Sequence, residues 1–443
     1  MKMNRMTLIC PFLALTAFAE IDIDRLCPSR PETAASFRAE ICPPAARPYR
    51  QAALDAYHYM TSLPAMTVLV ETGRPNQRYQ HNAYVAKTHA AHVMAMLDWA
   101  EAEPTSREKA MRFARASAEF LLDELEPADA PLAHWPPTYC RKPLEYDPKT
   151  DGPYNKPHMY GNEPQGAVMY RDEVMLVYPA QAGLAFISYG AAAKDGRFLA
   201  VARGIGETYL KTRRADGSWP LKMILATGET VGENTLVPTF PLLLFEELFK
   251  ATGETKWRRA ADKTFAWIER NPLTDWNWDG QFEDIRPAKP YQNPTKHNAM
   301  DVLLYILDRF PGDAQRLATC RKLLDFAEKR FVVWAPLKSR PTWPTPSVLE
   351  QYSCFTPIDA SAAKMIRAYL AMYRAEGRAE DLAKARALGN TLTRVQKPSG
   401  RIPTFWAGTF DGDTGTSAER YDWLNCMAAA AKALIQLSAV SDS

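Results

Sequence analysis

One local pattern occurs four times along this chain of 443 residues, and it constrains the fold more than any other feature. Each copy is an apolar helical run that ends near a glycine and a charged residue, and a second apolar run with helical spacing follows it. The glycines are Gly196, Gly253, Gly312 and Gly377, at intervals of 57, 59 and 65 residues. A hairpin of two helices cannot bury its apolar side alone, so neighbouring hairpins must stack. The sequence therefore predicts an all-α architecture of stacked helical hairpins.

Five hairpins are predicted, and one further helix flanks them on each side. The hairpins cover residues 81–102 with 106–125, 177–193 with 197–213, 237–251 with 255–270, 297–309 with 313–331, and 359–375 with 379–396. The last helix, 421–438, has no partner after it. The helix at 48–62 can supply that partner, which would give six hairpins and close a ring. Strands are expected to be few, with short β-rich stretches such as 67–70.

A second repeat follows the outer helix of three hairpins. Its glycines, Gly217, Gly280 and Gly400, each precede an aromatic or apolar residue by two positions. Glycine permits a positive φ angle in a tight turn, so we expect three equivalent turns that lead into inner helices. Because all three follow an outer helix, these loops should lie at the same end of the helices.

The repeat length, the hairpin turns and these glycine loops resemble the (α/α)6 toroids of the six-hairpin glycosidase superfamily, over roughly residues 48–440. That superfamily also includes polysaccharide lyases and sugar epimerases. The resemblance implies six helical hairpins in a toroid, with short β segments in the rim loops and a substrate cleft at the N-terminal ends of the inner helices. It implies a carbohydrate-active enzyme, but no active-site signature of a single family accompanies it, so the reaction stays open.

The first 19 residues have the features of a secretory signal peptide. Lys2 and Arg5 precede an apolar stretch at 6–15, and Ala17-Phe18-Ala19 fits cleavage before Glu20. A membrane anchor is the alternative interpretation. No later segment approaches the ~20 apolar residues that a spanning helix needs. We therefore predict a secreted or periplasmic protein, with a signal peptide at 1–19, an irregular wrap at 20–47 and the toroid at 48–443.

Charge and known motifs exclude several functions. The formal net charge is +3, and it falls to +1 when the two basic residues of the signal are removed, so nucleic acid is not an expected partner. Walker, GxSxG, HExxH and dinucleotide-binding motifs do not occur in the sequence, and neither does Cys/His zinc spacing. We expect a reaction without cofactor or metal, an oligo- or polysaccharide substrate, and no membrane partner after signal cleavage. Cys27 and Cys42 flank a Pro-rich segment and could form a disulfide.

The densest group of candidate site residues lies at 275–284. Glu283 and Asp284 follow Trp278 and the Gly280 turn, and Glu283 is the strongest single candidate for a catalytic acid. Aromatic faces stack on sugar rings while carboxylates bind the hydroxyl groups, a combination common in ligand pockets. The competing interpretation is that the tryptophans here are buried in the wall of the ring and the acids bind backbone donors.

A second candidate cluster precedes the second hairpin. Arg171, Asp172 and Glu173 are adjacent, so the arginine could hold one carboxylate ionised while partial burial raises the pKa of the other. Alternatively, the two acids cap the helix that begins near residue 177. The loops at 171–173 and 283–284 both lie on the predicted rim, where the ring could place their carboxylates across a cleft.

Further candidates lie at other inner-helix starts. His297 and Asn298 open the fourth inner helix, and a similar His-Asn pair occurs at 81–82. His297 could act as a general acid or base near the positive end of the helix dipole, although a first-turn asparagine is also an ordinary cap. His89 and His92 share a helix face but have no acidic neighbour, so packing is the favoured interpretation. The remaining predicted substrate-binding residues are aromatic: Trp219, Tyr352, Trp406 and Trp423.

Three hypotheses follow from these candidates. The leading one is an exported glycoside hydrolase with paired carboxylates, one from 172–173 and one from 283–284. The second is a uronate-polysaccharide lyase or a sugar epimerase, with His297 or a tyrosine as base. Its cation, which would neutralise a substrate carboxylate, would be Arg171, Lys222, Arg286 or Lys296. The third is a carbohydrate-binding or protein-binding toroid without catalysis, in which the acids cap helices.

Overall fold

The computed structural model describes residues 21–75, 84–139, 172–281, 289–353, 356–406 and 423–441. The longer helices are α1 (Tyr49–Met60), α2 (Pro64–Thr72), α3 (Val85–Ala102), α4 (Arg107–Asp123), α5 (Tyr178–Ala193), α6 (Gly196–Thr212), α7 (Thr239–Thr252), α8 (Thr255–Arg270), α9 (His297–Arg309), α10 (Ala314–Phe331), α11 (Asp359–Glu376), α12 (Ala379–Val395) and α13 (Leu424–Ser441). Short helical turns lie at Ile23–Leu26, Pro31–Thr33, Ala39–Ile41, Pro104–Ser106 and Pro272–Asp275.

Six helices form a closed inner ring. In order they are α3, α5, α7, α9, α11 and α13; each contacts the next, and α13 contacts α3. An outer helix packs on each of them: α4, α6, α8, α10 and α12 on the first five, and α1 on α13. The pairing of the first and last long helices therefore closes the ring. The prediction of an (α/α)6 toroid with six hairpins is confirmed.

Amphipathic outer helices account for much of the core. In α8 the buried residues include Trp257, Ala260, Ala261, Thr264 and Phe265, which recur at the three- and four-residue spacing of one helix face. The exposed positions between them carry charge. Inner helices contact an outer partner and two inner neighbours, so they are apolar around most of their circumference. Only their remaining face looks toward the axis of the ring.

Short turns join inner to outer helices at one end of the toroid. The glycines at the predicted turns 253, 312 and 377 have φ of 70, 81 and 70°, as a left-handed turn requires. The first turn differs from the prediction, because Lys194 takes the left-handed conformation (φ 56°) and Gly196 begins α6. The Asp195 side chain caps that helix by accepting a hydrogen bond from Arg197 N at 3.0 Å.

Long loops occupy the opposite end, at the N-termini of the inner helices, and carry the strands. Strands β1 (Glu173–Met175), β2 (Pro220–Ile224) and β3 (Thr230–Thr235) form an antiparallel sheet in that order. Strands β4 (Val332–Val333) and β5 (Ser347–Val348) form a second pair before α11. The predicted short β segments in the rim loops are thus confirmed.

The glycine loops also lie at this end. Gly217 and Gly400 have φ of 92 and 94°, as predicted. A Cβ at Gly400 would lie 2.2 Å from Asp55 O of α1, so this turn can approach the first helix only as glycine. The loop before the last inner helix is therefore fitted against the first outer helix, where the two ends of the chain close the ring.

Two expectations from the sequence are wrong. Residues 67–70 belong to helix α2 rather than to a β-rich stretch, because Pro64 occupies its first turn, Met66 and Leu69 are buried, and Gly73 ends it with φ of 69°. Tertiary burial here outweighs the β propensity of a short apolar run. Cys27 and Cys42 are both free thiols and are not joined to each other.

The N-terminal segment packs on the outside of the ring. Arg330 of α10 is 1% exposed, and its guanidinium donates to Cys27 O at 2.7 Å and to Asp24 at 2.6 Å. Thr33 Oγ1 donates to Lys329 O at 2.6 Å. Treating 20–47 as a unit separate from the toroid stays a prediction. Among the described helices, none has the length and apolar character needed to cross a membrane.

Candidate functional site

The face of each inner helix toward the ring axis is recognisable by partial exposure. On α3 the partly exposed positions include Lys87, Ala91, Met94 and Asp98, at successive spacings of four, three and four residues. On α11 they are residues 360, 364, 367 and 371. Every other face of these helices packs against neighbours, so these side chains line a cavity along the axis.

His297 lies at the mouth of this cavity, in the first turn of α9. Its side chain keeps some exposed surface although protein atoms surround it, which is the condition of a group inside a cavity. Burial, and then the charges of Lys296, Lys364 and Lys87, lower the pKa of the His297 imidazole well below its ordinary value. The imidazole is therefore neutral at pH 7 and can accept a proton.

Lys87 approaches His297 from the other side of the ring. Helices α3 and α9 are three positions apart in a ring of six, which makes them diametrically opposite. The charge of Lys87 nevertheless acts on the His297 imidazole. Both residues are also partly exposed at positions that face the axis, so both side chains border the cavity.

Lys296, the residue before His297, is anchored by hydrogen bonds to the loop before α11 and to α11. Its ammonium group donates to Leu349 O at 2.6 Å, Glu350 O at 2.5 Å and Ser361 Oγ at 2.5 Å. Three acceptors satisfy the three protons of a lysine. Lys296 thus ties the start of α9 to the loop before α11 and to α11 itself.

Aromatic rings surround Lys87 at the mouth. Its Nζ lies 4.7 Å from the centre of the Tyr84 ring and 5.1 Å from that of Trp423. Trp423 is partly exposed, and its backbone N donates to Thr404 Oγ1 at 2.7 Å. Its ring meets Phe405 edge-on at 5.6 Å. Trp423, a predicted substrate-binding residue, and His297 therefore border the same mouth.

An apolar wall lies across from Trp423. Helix α7 is opposite α13 in the ring, and its axis-facing positions begin with Phe240 and Leu243, both partly exposed. Leu184 of α5 continues this wall. Across the mouth, Lys87 thus lies on the helix opposite that of His297. Trp423 likewise lies opposite Phe240.

A charged layer lies below the mouth. Lys364 of α11 pairs with Asp301 of α9 at 2.5 Å, and Lys432 of α13 pairs with Asp98 of α3 at 3.0 Å. Burial lowers the pKa of Lys364; the charge of Asp301 opposes that shift and the charge of Arg367 adds to it. Burial raises the pKa of Asp98 although Lys432 is its partner. Removal from water thus outweighs pairing in this layer.

The predicted carboxylates are only partly within the described residues. Asp172 is exposed, and its carbonyl accepts from Leu225 N at 2.7 Å. Glu173 lies in β1, where its carboxylate is 3.6 Å from the Lys222 ammonium and both side chains are largely buried. Arg171, Glu283 and Asp284 lie outside the described residues, as does the pair at 81–82. The catalytic role of all five candidate acids and bases stays a prediction.

Three predicted stacking residues are packed inside the protein. Trp219 and Trp278 are both 0% exposed, and Trp406 is 4% exposed. The indole of Trp219 donates to Tyr209 O at 2.9 Å, and that of Trp406 donates to Pro403 O at 3.1 Å. The buried-wall interpretation describes the position of Trp278. A role for these three rings in sugar binding stays a prediction that their burial does not support.

Tyr352 and Asn298 are partly exposed. The guanidinium of Arg30 covers the Tyr352 ring at 4.5 Å, and the Tyr352 hydroxyl donates to Pro28 O at 3.0 Å. The N-terminal segment thus occupies one face of that ring. Asn298 follows His297 in the first turn of α9, next to the mouth.

Sequence reasoning missed four axis-facing residues: Lys87, Phe240, Lys364 and Arg367. A signal was present, because charged residues interrupt inner helices that are otherwise apolar on most sides. Lys364 and Arg367 are also three residues apart, on one face. Among the described residues there is no group of three or more potential metal ligands.

No protein-family model and no curated protein sequence matches the chain. Several solved structures do match the chain. A family 76 glycoside hydrolase from a bovine Bacteroides thetaiotaomicron strain aligns at TM-score 0.58 and 14% identity, over 90% of this chain and 79% of that one. Cellobiose 2-epimerase from Spirochaeta thermophila aligns at 0.58 and 12%, over 89% and 98%. An unsaturated glucuronyl hydrolase from Streptococcus agalactiae aligns at 0.54 and 12%, over 94% and 96%.

These three proteins have the toroid fold that the sequence resembles. At such low identity the likeness establishes the fold of this chain and leaves its reaction open. The fold and the comparisons therefore define this chain as an (α/α)6 toroid.

Proposed function

We propose that the protein is a carbohydrate-active enzyme in which His297 removes a proton from a sugar carbon next to a carbonyl or carboxylate group. The observation that carries the proposal is the partly exposed His297 in the first turn of α9, whose imidazole pKa is lowered by burial and then by the charges of Lys296, Lys364 and Lys87. The neighbouring folds support a sugar as substrate, because the relatives are a glycoside hydrolase, an epimerase and a glucuronyl hydrolase.

The groups at the mouth suit this chemistry. The lowered pKa of His297 keeps the imidazole unprotonated at pH 7, as a base must be, and the same shift makes it a weaker base than an ordinary histidine. When the C–H bond breaks, its proton passes to the imidazole and its electron pair moves toward the neighbouring carbonyl or carboxylate oxygen. Positive charge fixed near that oxygen stabilises the resulting enediolate, and Lys87 supplies it. Trp423 and Phe240 offer aromatic surfaces for the sugar ring.

Two reactions can follow from this intermediate. Return of a proton to the opposite face inverts the carbon and gives an epimer. Loss of an oxygen substituent from the next carbon gives an unsaturated product and a new chain end. Both reactions share the first step at His297, and they differ in what the second step requires from the substrate.

Hydrolysis by paired carboxylates is the second candidate. The Glu173–Lys222 ion pair, in largely buried surroundings on the rim, favours it because it supplies one of the two acids such a mechanism needs. Glu283 or Asp284 would supply the other. Export through the predicted signal peptide, with a polysaccharide or oligosaccharide substrate outside the cytoplasm, belongs to either proposal.

One experiment separates these reactions. The purified protein is incubated in D2O with neutral and uronic-acid oligosaccharides, and new reducing ends, ultraviolet absorbance and deuterium in the recovered sugar are measured together. Elimination raises reducing ends and absorbance together, whereas epimerisation places deuterium in the sugar without new ends. His297→Gln should abolish either signal, and His92→Leu serves as the matched control.

New reducing ends without absorbance or deuterium, retained in His297→Gln, would overturn the proposal. Loss of those ends in Glu173→Gln would then support hydrolysis.

A further inference from the structure

The charged layer below the mouth holds more positive than negative charge. Below the mouth and as far as Asp98, the described axis-facing residues include three cations, Lys364, Arg367 and Lys432, against two carboxylates, Asp98 and Asp301. At the far opening, exposed Glu247, Lys250 and Asp308 form a separate ion-paired group. The surplus is therefore confined to the partly buried part of the cavity.

Arg367 is the cation that this pairing leaves over. The two carboxylates are taken by Lys364 and Lys432, and within the described part of the chain Arg367 makes no hydrogen bond or ion pair. It is nevertheless close enough for its charge to act on both Lys364 and Asp98. Helix α11, which carries Arg367, is not a neighbour of α3, so the guanidinium influences Asp98 through the cavity.

Such an arrangement costs stability unless something compensates it. A partly buried guanidinium beside other cations loses hydration and gains no partner. Charges that weaken the fold are typical of sites selected for ligand binding. Arginine, with five donors in a planar fork, suits carboxylate, sulfate and phosphate groups.

The position of Arg367 also fits a ligand that enters from the mouth. It is eight residues after the start of α11, which places its Cα about 12 Å below that end at 1.5 Å per residue. Side chains on a helix lean toward the N-terminus, so the guanidinium is directed back toward His297. A sugar held by the aromatic residues at the mouth could extend an acidic substituent into this space.

We propose that Arg367 receives the negatively charged group of an acidic sugar, so that the substrate of this enzyme is anionic. This inference rests on the proposed function, because it assigns a substrate class to the same cavity. It does not depend on the proton transfer at His297, and binding can be measured without catalysis.

The test compares matched ligands on an inactive protein. His297→Gln protein is titrated calorimetrically with trimers of galacturonate, glucuronate and mannuronate, with the same trimers after reduction of their carboxyl groups to neutral sugars, and with a sulfated neutral trimer. At least one anionic trimer should bind, and more tightly than its neutral form. Adding Arg367→Gln should weaken that binding about 10- to 100-fold, the range for hydrogen bonds to charged groups, while Arg367→Lys should retain part of it.

An exposed arginine provides the control. Arg386→Gln, on outer helix α12, should leave binding unchanged. Arg367→Gln should also keep or raise the melting temperature, which distinguishes a ligand site from a structural role. Preference for carboxylate or for sulfate would identify the anion, and either supports the site.

Equal binding of acidic and reduced trimers, binding by none of them, or acidic-trimer binding insensitive to Arg367→Gln would overturn the inference. A large drop in melting temperature for Arg367→Gln would do the same. All of these measurements use protein that lacks the proposed base. Their outcome therefore does not depend on whether His297→Gln loses or keeps activity.

Discussion

Three histidines lie on the described inner helices, a packed pair and His297, and all three have pKa values below the ordinary range. His89 and His92 are 0% and 1% exposed, their rings are 5.5 Å apart, and His89 contacts the Phe120 ring of α4 at 4.6 Å. Burial lowers both pKa values, that of His92 to about 4. His297 instead keeps exposed surface and faces cations across the axis.

This contrast identifies the property that marks a site. A low pKa requires only removal from water, and close packing between α3 and α4 achieves that for His89 and His92. No substrate can reach those rings. His297 combines a low pKa with partly exposed surface and with charged neighbours on other helices. Access, rather than the pKa, separates the candidate base from the packed pair.

The largest effect is expected for the accessible histidine. His297→Gln should lower kcat about 10²- to 10⁴-fold on the substrate found in the D2O assay, because that is the usual contribution of general acid–base catalysis. His92→Leu should leave kcat within about twofold. Steady-state kinetics, with circular dichroism to check folding, measures both. An equal loss of activity in the two variants would contradict the assignment of His297, rather than His92, as the base.

The packed pair should control acid stability. The unfolded chain binds a proton at His92 near the ordinary histidine pKa of 6.5, while the folded protein resists protonation down to about 4. Stability is therefore lost as pH falls from 6.5 toward 4, by a total of about 3 kcal/mol at 1.36 kcal/mol per pH unit. Urea unfolding of His92→Leu between pH 7.5 and 4 should show less of this loss. An unchanged pH dependence would mean that His92 is hydrated in the folded state.

A smaller effect is expected at the cation opposite the base. Lys87→Gln removes one of the charges that lower the pKa of His297, so that pKa should rise. The acidic limb of the kcat/KM profile reports the base in the free enzyme and should move to higher pH. Lys109→Gln, an exposed change on α4, is the control and should leave the limb in place. A limb unaffected by Lys87→Gln would contradict the facing arrangement.

The smallest effect concerns aromatic residues with the same contrast in access. Trp423→Leu should raise KM about 3- to 10-fold with little change in stability, since an aromatic contact contributes roughly 0.5–1.5 kcal/mol. The buried Trp219→Leu should instead lower the melting temperature without a specific effect on KM. Steady-state kinetics and thermal unfolding of both variants measure the change in KM and in melting temperature. A KM effect at Trp219 would restore it as a substrate contact.

Much of the fold was predictable because its causes are local. Helical spacing of apolar residues and the turns near residues 196, 253, 312 and 377 depend on a few neighbours each, and their repetition requires stacking. The helix at 64–72 was missed because a short apolar run fits either a strand or a helix until burial decides. The first turn was expected at Gly196, because glycine is the residue that most often adopts a left-handed conformation. Lys194 adopts it instead.

Local patterns in the chain were enough to define the hairpins, the end of the ring that carries the long loops, and His297 and Trp423 as candidates. Packing in three dimensions was needed to make Lys87 and His297 face one another, and to leave Arg367 as the extra cation between two ion pairs. The physical reason is closure. Residues more than 200 positions apart line the same cavity only after α1 has packed on α13 and α13 on α3. A local sequence pattern contains no information about such long-range contacts.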